Sequence, residues 1–157
     1  DETSRGLGDV YKRQPSGLRV ADLGCGSGVL GLAALGLGAR QVLSVDTDSL
    51  AVRATTDNAV LNNRSVDALR VSQGSVEVLA TLLEGQPADL LLCNILAPVI
   101  EALAPHFKSV LRPGGRGLLS GLLVEQAPRL IEVLGSLGWS VEPLAEQGRW
   151  GLLEIRR

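Results

Sequence analysis

The chain has 157 residues, 45% hydrophobic but only 3% aromatic, so a single domain with a core of Leu, Val, Ala and Ile is expected, and a chain of this size can bury roughly 68–70% of its unfolded surface. The 15 basic residues stand against 17 acidic ones for a net charge of −2, which provides no basic stripe for general nucleic-acid binding but leaves a basic protein substrate open. Cys25 and Cys93 sit in apolar segments without a CxxC pair or a His/Cys cluster, no run reaches the roughly 18 apolar residues of a membrane span, and the polar N-terminus shows no signal peptide; a zinc site, a disulfide framework and a membrane protein are not indicated, and a reduced cytoplasmic setting is expected.

Residues 1–14, DETSRGLGDVYKRQ, have no clear periodicity and stop at Pro15-Ser16-Gly17. They read as a tail or as foreign sequence, with the folded domain over residues 15–157. From Leu18 short apolar runs alternate with helical stretches. LRVADLG is a first strand ending in Asp22 and glycines, and SGVLGLAALGLGA a helix rich in small residues. QVLSVD is the second strand, ending at Asp46. DSLAVRATTDNAVLN is an amphipathic helix with Asp48 or Ser49 as its N-cap. ALRVSQ is a weak third strand, followed by a short helix from Val76 to Leu83. ADLLLCNIL is a fourth strand, continuously apolar as a strand covered on both faces should be. Asn94 interrupts that run, and a buried amide without partners costs on the order of 1–3 kcal/mol. PVIEALAPHFKSVL reads as one helix with Pro98 in its first turn, RPGG as a turn, and RGLLSGLL as the fifth strand. VEQAPRLIEVLGSLG is a helix ending at Gly138. WSVEPLAEQ and RWGLLEIRR lack a helix between them and form a hairpin around Gln147-Gly148.

Alternating strands and helices predict an α/β fold: a doubly wound, mostly parallel sheet that closes on an antiparallel pair. Ligands of such sheets bind beyond the carboxyl ends of the strands, near the switch point. Asp22, Gly24, Gly26, Asp46, Asn94 and Ser120 fall at those ends. In DLGCGSG, the glycines at 24, 26 and 28 permit a tight turn and close approach of a ligand, and the helix that follows offers free N–H groups. GSGVLG also satisfies GxGxxG, a weak signal alone that a glycine-rich helix packed on the sheet would equally explain. Asp46 stands where a carboxylate can accept both hydroxyls of a ribose, unless it only caps the next helix; Asp48 is the more natural cap. Loop and carboxylate together point to an adenosine-containing cofactor.

A nicotinamide dehydrogenase would place its first fingerprint glycine directly after the apolar strand and would need further substrate residues. Here the strand ends in Asp22, giving D-x-G-x-G-x-G. That signature resembles the first motif of the Rossmann-like S-adenosylmethionine-dependent methyltransferases. LRPGGRGLLS resembles their proline-glycine turn before the fifth strand, and the closing hairpin agrees. Many amine methyltransferases carry Asn-Pro-Pro-aromatic after the fourth strand, whereas this chain has Asn94-Ile95-Leu96-Ala97. NILA, with VDTDSLAVRATTDNAVLN, LLSGLLVEQ and the late GRW, is similar to the ribosomal protein L11 methyltransferase (PrmA) family over Leu18 to Arg157.

The resemblance implies a seven-stranded Rossmann-like sheet and S-adenosylmethionine as cofactor. It implies methylation of lysine and N-terminal amino groups of a large-subunit ribosomal protein in the cytoplasm. By position, Gly24, Asp46 and Asn94 match cofactor-binding residues; Asp22 and Gly26 belong to the same loop, and Ser120 is a further candidate at the end of the fifth strand. Asn94 is also the candidate to position the amine. Members of the family carry an N-terminal substrate-recognition domain and a Gly-Thr-Gly…His…Thr-Thr segment before the first strand; neither is seen, so the chain reads as the catalytic core of a truncated member. A methyltransferase of another protein or a small amine, a nicotinamide-binding domain, and a non-catalytic cofactor-binding core are the alternatives. No base stands out. His106, the single histidine, reads as a surface or packing residue, and both cysteines as small core residues. Trp150 reads as shaping the substrate mouth or as edge-strand packing, and Arg156-Arg157 as a solvated end.

Overall fold

The structure, a computed structural model, describes residues 17–157. The expected tail, residues 1–14, lies outside the described residues. Seven strands form one sheet: β1 (Arg19–Leu23), β2 (Gln41–Asp46), β3 (Leu69–Gln73), β4 (Ala88–Asn94), β5 (Leu111–Leu123), β6 (Ser140–Gln147) and β7 (Trp150–Arg156). Their order across the sheet is β3-β2-β1-β4-β5-β7-β6. The first five are parallel, and β7 runs antiparallel between β5 and β6. The helices are α1 (Val29–Gly36), α2 (Ser49–Leu61), α3 (Val76–Leu82), α4 (Ala97–Leu103) and α5 (Ala127–Ser136).

The central strand β4 is apolar on both faces because helices cover both, whereas β3, at the sheet edge, is only partly buried. Leu91 and Cys93 of β4 join a core with Leu79 of α3, Ile100 of α4 and Leu134 of α5. Leu90 and Leu92 face the other way, into a core with Leu30 and Leu35 of α1 and Ala59 of α2. The order of strands reverses at β1, which sits between β2 and β4. Loops leaving the carboxyl ends of β1 and β4 diverge there and leave a crevice.

Three expectations change in detail. The helix expected from Pro98 to Leu111 ends at Leu103 and continues as a 3₁₀ segment, Ala104–Ser109. Pro105 lacks the N–H that an α-helix needs. The RPGG turn lies inside β5: the ladder steps from Ala88↔Leu111 to Leu90↔Arg116, and Gly114 takes φ +77° in the intervening bulge. The fifth helical stretch starts as a 3₁₀ turn, Val124–Gln126, before α5. The C-terminal arginines are engaged as well as solvated. Arg156 and Arg116 both pair with the buried carboxylate of Glu154, and Arg157 donates to the Leu111 carbonyl at 2.9 Å. These contacts tie β7 to β5.

Candidate functional site

At the carboxyl ends of β1, β2 and β4 a cleft of about 390 Å³ opens, within the size range of small-molecule sites. Gly24, Gly26, Asp46 and Asn94 all line it. Sequence positions 70 residues apart in the chain thus meet because three parallel strands stop at one level.

The floor is the loop between β1 and α1. The N–H groups of Gly24 and Cys25 both donate to the Val45 carbonyl, at 2.9 and 3.0 Å. Gly24 takes φ +81°, and a Cβ there would collide with Cγ2 of Ile95. Only glycine lets the two loops approach so closely. Gly26, at φ +56°, would point a Cβ into open space, so its backbone is a bare surface for a ligand. α1 starts at Gly28 without a side-chain cap, and Val29 and Leu30 of its first turn line the cleft.

Asp46 closes the far side of this loop. Its Oδ2 accepts from the Gly26 N–H and its Oδ1 from the Asp48 N–H, both at 2.9 Å. A carboxylate has about four lone-pair sites, so two remain for a ligand. The carboxylate is therefore ordered before anything binds. Asp48 is the cap of α2, accepting from the Leu50 N–H at 2.9 Å.

Two residues that the sequence reading passed over secure the loop from α2. Thr55 Oγ1 donates to the Gly26 carbonyl at 2.9 Å, and Asn58 Nδ2 donates to the Ser27 carbonyl at 2.8 Å. Thr55 is fully buried, and Gly28 packs against it. The available signal was a polar position on the inward face of an amphipathic helix. Thr55→Val keeps the shape and leaves the Gly26 carbonyl without its donor. A loss of about 1–3 kcal/mol in urea denaturation is expected; an unchanged midpoint and slope would contradict this role.

Asp22 is not on the cleft wall. It is 1% exposed, on the sheet face under the first turns of α1, where Gly31 leaves room for it. Neither carboxylate oxygen has a hydrogen-bond partner of normal geometry. Burial, then the charge of Asp46, push its pKa up to about 7, offset in part by the N–H of Gly31. Its place is behind the loop, so the expectation of a direct ligand contact is corrected to a support.

Asn94 ends β4 with its side chain exposed at the cleft. Its amide is not an orphan: Oδ1 accepts from Ser120 Oγ at 3.2 Å. Ser120 itself is fully buried and does not line the cleft, so it too lies behind the wall. Cys25 lines the cleft, but burial pushes its thiol up to about 12. Cys93 is core, its thiol also pushed up by burial. Neither is a thiolate nucleophile at neutral pH. His106 is exposed on the 3₁₀ segment, away from the cleft. Trp150 is exposed at the start of β7, between Leu123 of β5 and Gln147 of the edge strand β6, and does not line the cleft. Among the described residues there is no cluster of three or more His, Cys, Asp or Glu side chains fit for a metal. Also among them, no helix is long and apolar enough to cross a membrane.

The chain is similar in sequence and fold to known proteins. The family model described as ribosomal protein L11 methyltransferase (PrmA) matches residues 3–157. A protein of that name from Parasynechococcus marenigrum is 70% identical over 148 residues, covering 94% of this chain and 51% of that protein. One from Prochlorococcus marinus is 64% identical, covering 94% and 49%. The chain spans about half the length of these curated relatives. Among solved structures, a ribosomal protein L11 methylase from Lactobacillus delbrueckii subsp. bulgaricus superposes with a TM-score of 0.82 at 30% identity, over 100% of this chain and 80% of that one. A methyltransferase from Pyrococcus furiosus has a TM-score of 0.80 at 18% identity, over 98% and 81%, a likeness of fold.

Proposed function

Since the chain belongs to the ribosomal protein L11 methyltransferase (PrmA) family, we propose that it is the S-adenosylmethionine-binding, methyl-transferring part of an enzyme that methylates lysine and N-terminal amino groups of that ribosomal protein, acting in the cytoplasm. The observation that carries this reading is the pre-ordered triad of loop, Asp46 and Asn94 around one cleft at the switch point.

The residues fit the cofactor. The bare backbone at Gly26 is a cradle that a Cβ would fill, and Asp46 has lone pairs left for two ribose hydroxyls. When bound, S-adenosylmethionine supplies a methyl group already activated on a sulfonium. The protein's part is then orientation and charge placement. Gly24 and Gly26 would let the ligand lie against the main chain. Asp46 would hold the ribose end. Asn94, across the cleft, would offer the second lone pair of Oδ1 to an amine N–H and so orient the amine. Val99 and Ile95 supply apolar wall that sheds water from that end. None of the side chains lining the cleft is placed as a proton acceptor other than Asp46, which the loop already holds. The amine therefore enters neutral, and transfer speeds up as pH rises toward the amine's own pKa.

Asn94→Ala removes that acceptor from an exposed position. The fold is expected to stay within about 1 kcal/mol, while turnover falls about 10- to 100-fold, the value of one charged hydrogen bond. The direct test incubates the chain with S-adenosylmethionine and the ribosomal protein and weighs the intact substrate. Added methyl groups support the reading. Binding of S-adenosylhomocysteine with no gain in substrate mass would overturn the transfer reading and leave only a binding core. Methylation of small amines in preference to the protein would favour the alternative substrate class.

A further inference from the structure

On the reading that Asn94 meets the amine or the cofactor, we propose that Ser120 is a positioning residue, which touches no ligand and sets which end of the Asn94 amide the cleft sees. Asn94 and Ser120 are partners in the parallel ladder of β4 and β5, so their side chains stand on one face of the sheet. Ser120 is fully buried and outside the cleft wall. Its hydroxyl donates to Oδ1 at 3.2 Å. Among the described residues the amide NH₂ makes no hydrogen bond.

The next residue completes the setting. Gly121 takes φ +83° where the β5–β7 register slips between Leu119 and Leu122. A Cβ at Gly121 would lie 2.8 Å from the Ile95 carbonyl oxygen and 2.9 Å from Asn94 Oδ1. The bulge therefore presses β5 against the Asn94–Ile95 peptide and the amide oxygen at once. The terminal torsion of an asparagine is broad and roughly two-fold. Its two ends differ little in shape, so packing alone discriminates weakly between them; a hydroxyl donor on one side does so chemically. Ser120 turns the oxygen toward β5, uses one of its lone pairs and polarises the amide. The second lone pair and the NH₂ are left for the cleft.

This assignment separates Ser120 from the ligand-contacting residues with which its sequence position grouped it. It also explains why a hydroxyl sits among leucines: Leu118, Leu119 and Leu122 are all fully buried around it.

The test has a spectroscopic and a kinetic arm, both on the full chain. In a ¹⁵N correlation spectrum the Asn94 NH₂ pair is identified by its loss in Asn94→Asp. Ser120→Ala is expected to shift both protons of that pair. Ser109→Ala, which removes a surface hydroxyl bonded to the His106 carbonyl, is expected to leave them in place. In methyl transfer, Ser120→Ala lowers kcat about tenfold with the KM for S-adenosylmethionine within about twofold, and Ser120→Thr, which keeps the hydroxyl, restores it. In an Asn94→Ala background Ser120→Ala has no further effect, because the two act as one unit. An unmoved NH₂ pair, or a loss that adds in full to that of Asn94→Ala, would overturn the proposal. A parent chain that transfers no methyl refutes the proposed function instead, and the spectrum still decides the role of Ser120.

Discussion

Replacing Asp46 with alanine is expected to weaken S-adenosylhomocysteine binding about 100-fold or more, measured by calorimetric titration. Two losses combine. The ligand loses the acceptor for its ribose hydroxyls, and hydrogen bonds to a charged group are worth about 1.5–3 kcal/mol each. The protein loses the anchor that joins the loop to the start of α2 through the N–H groups of Gly26 and Asp48. Each 1.4 kcal/mol, roughly, is a factor of ten in affinity, so even the lower bound for two bonds reaches 100-fold. Asp48→Ala is the companion. Its side chain caps only α2, through the Leu50 N–H. Losing a cap costs about 1 kcal/mol of stability, and affinity stays within about threefold. Equal effects of the two substitutions on binding would show that Asp46 is merely a cap.

The second large effect is a dependence of stability on pH set by Asp22. Its pKa in the folded chain is raised from 3.8 to about 7, mainly by burial and secondarily by Asp46. The neighbouring ionisable groups are Asp46 and the thiols of Cys25 and Cys93, and none of them offers a compensating positive charge. Below pH 3.8 the carboxyl is neutral in both folded and unfolded chains and costs nothing. As pH rises, the unfolded chain ionises first, so this contribution to stability declines until pH passes about 7 and then levels off. A shift of about three units corresponds to a loss on the order of 4 kcal/mol. Asp22→Asn cannot ionise. Across pH 4–8, guanidinium denaturation of the parent should fall relative to Asp22→Asn by that amount. Parallel profiles for the two proteins would contradict the buried, unpaired carboxyl.

Much of this site was legible in the sequence because its parts obey local rules. Gly24 and Gly26 announce a tight, bare loop, and Asp46 stands at a strand end where a carboxylate has an obvious use. The seven strands were legible from alternating runs, including the closing hairpin. What local rules missed are contacts across the sheet. Asp22 and Ser120 sit at the right strand level but point under the helix and behind the wall, and strand level alone does not tell which side chains the covering elements bury. Thr55 and Asn58 lie on an amphipathic helix, where a polar inward position is the only local signal, because their partners, the Gly26 and Ser27 carbonyls, are backbone groups about 30 residues away. The break at Pro105 follows from proline chemistry although the apolar pattern runs on past it, whereas RPGG marks an interruption whose place inside β5, rather than before it, depends on the ladder with β4. The amide of Asn94, unexplained in a run of leucines, proves to be where the strand leaves the core and Ser120 receives it.

The switch-point cleft is proposed to hold S-adenosylmethionine through the glycine loop and Asp46. A crystal structure of the chain with S-adenosylhomocysteine tests it most directly. The predicted result is ligand density between Gly24 and Asn94, with both ribose hydroxyls on the Asp46 carboxylate and the loop unmoved. Ligand bound elsewhere, or a cleft that takes up NAD in competition and rejects S-adenosylhomocysteine, would contradict it.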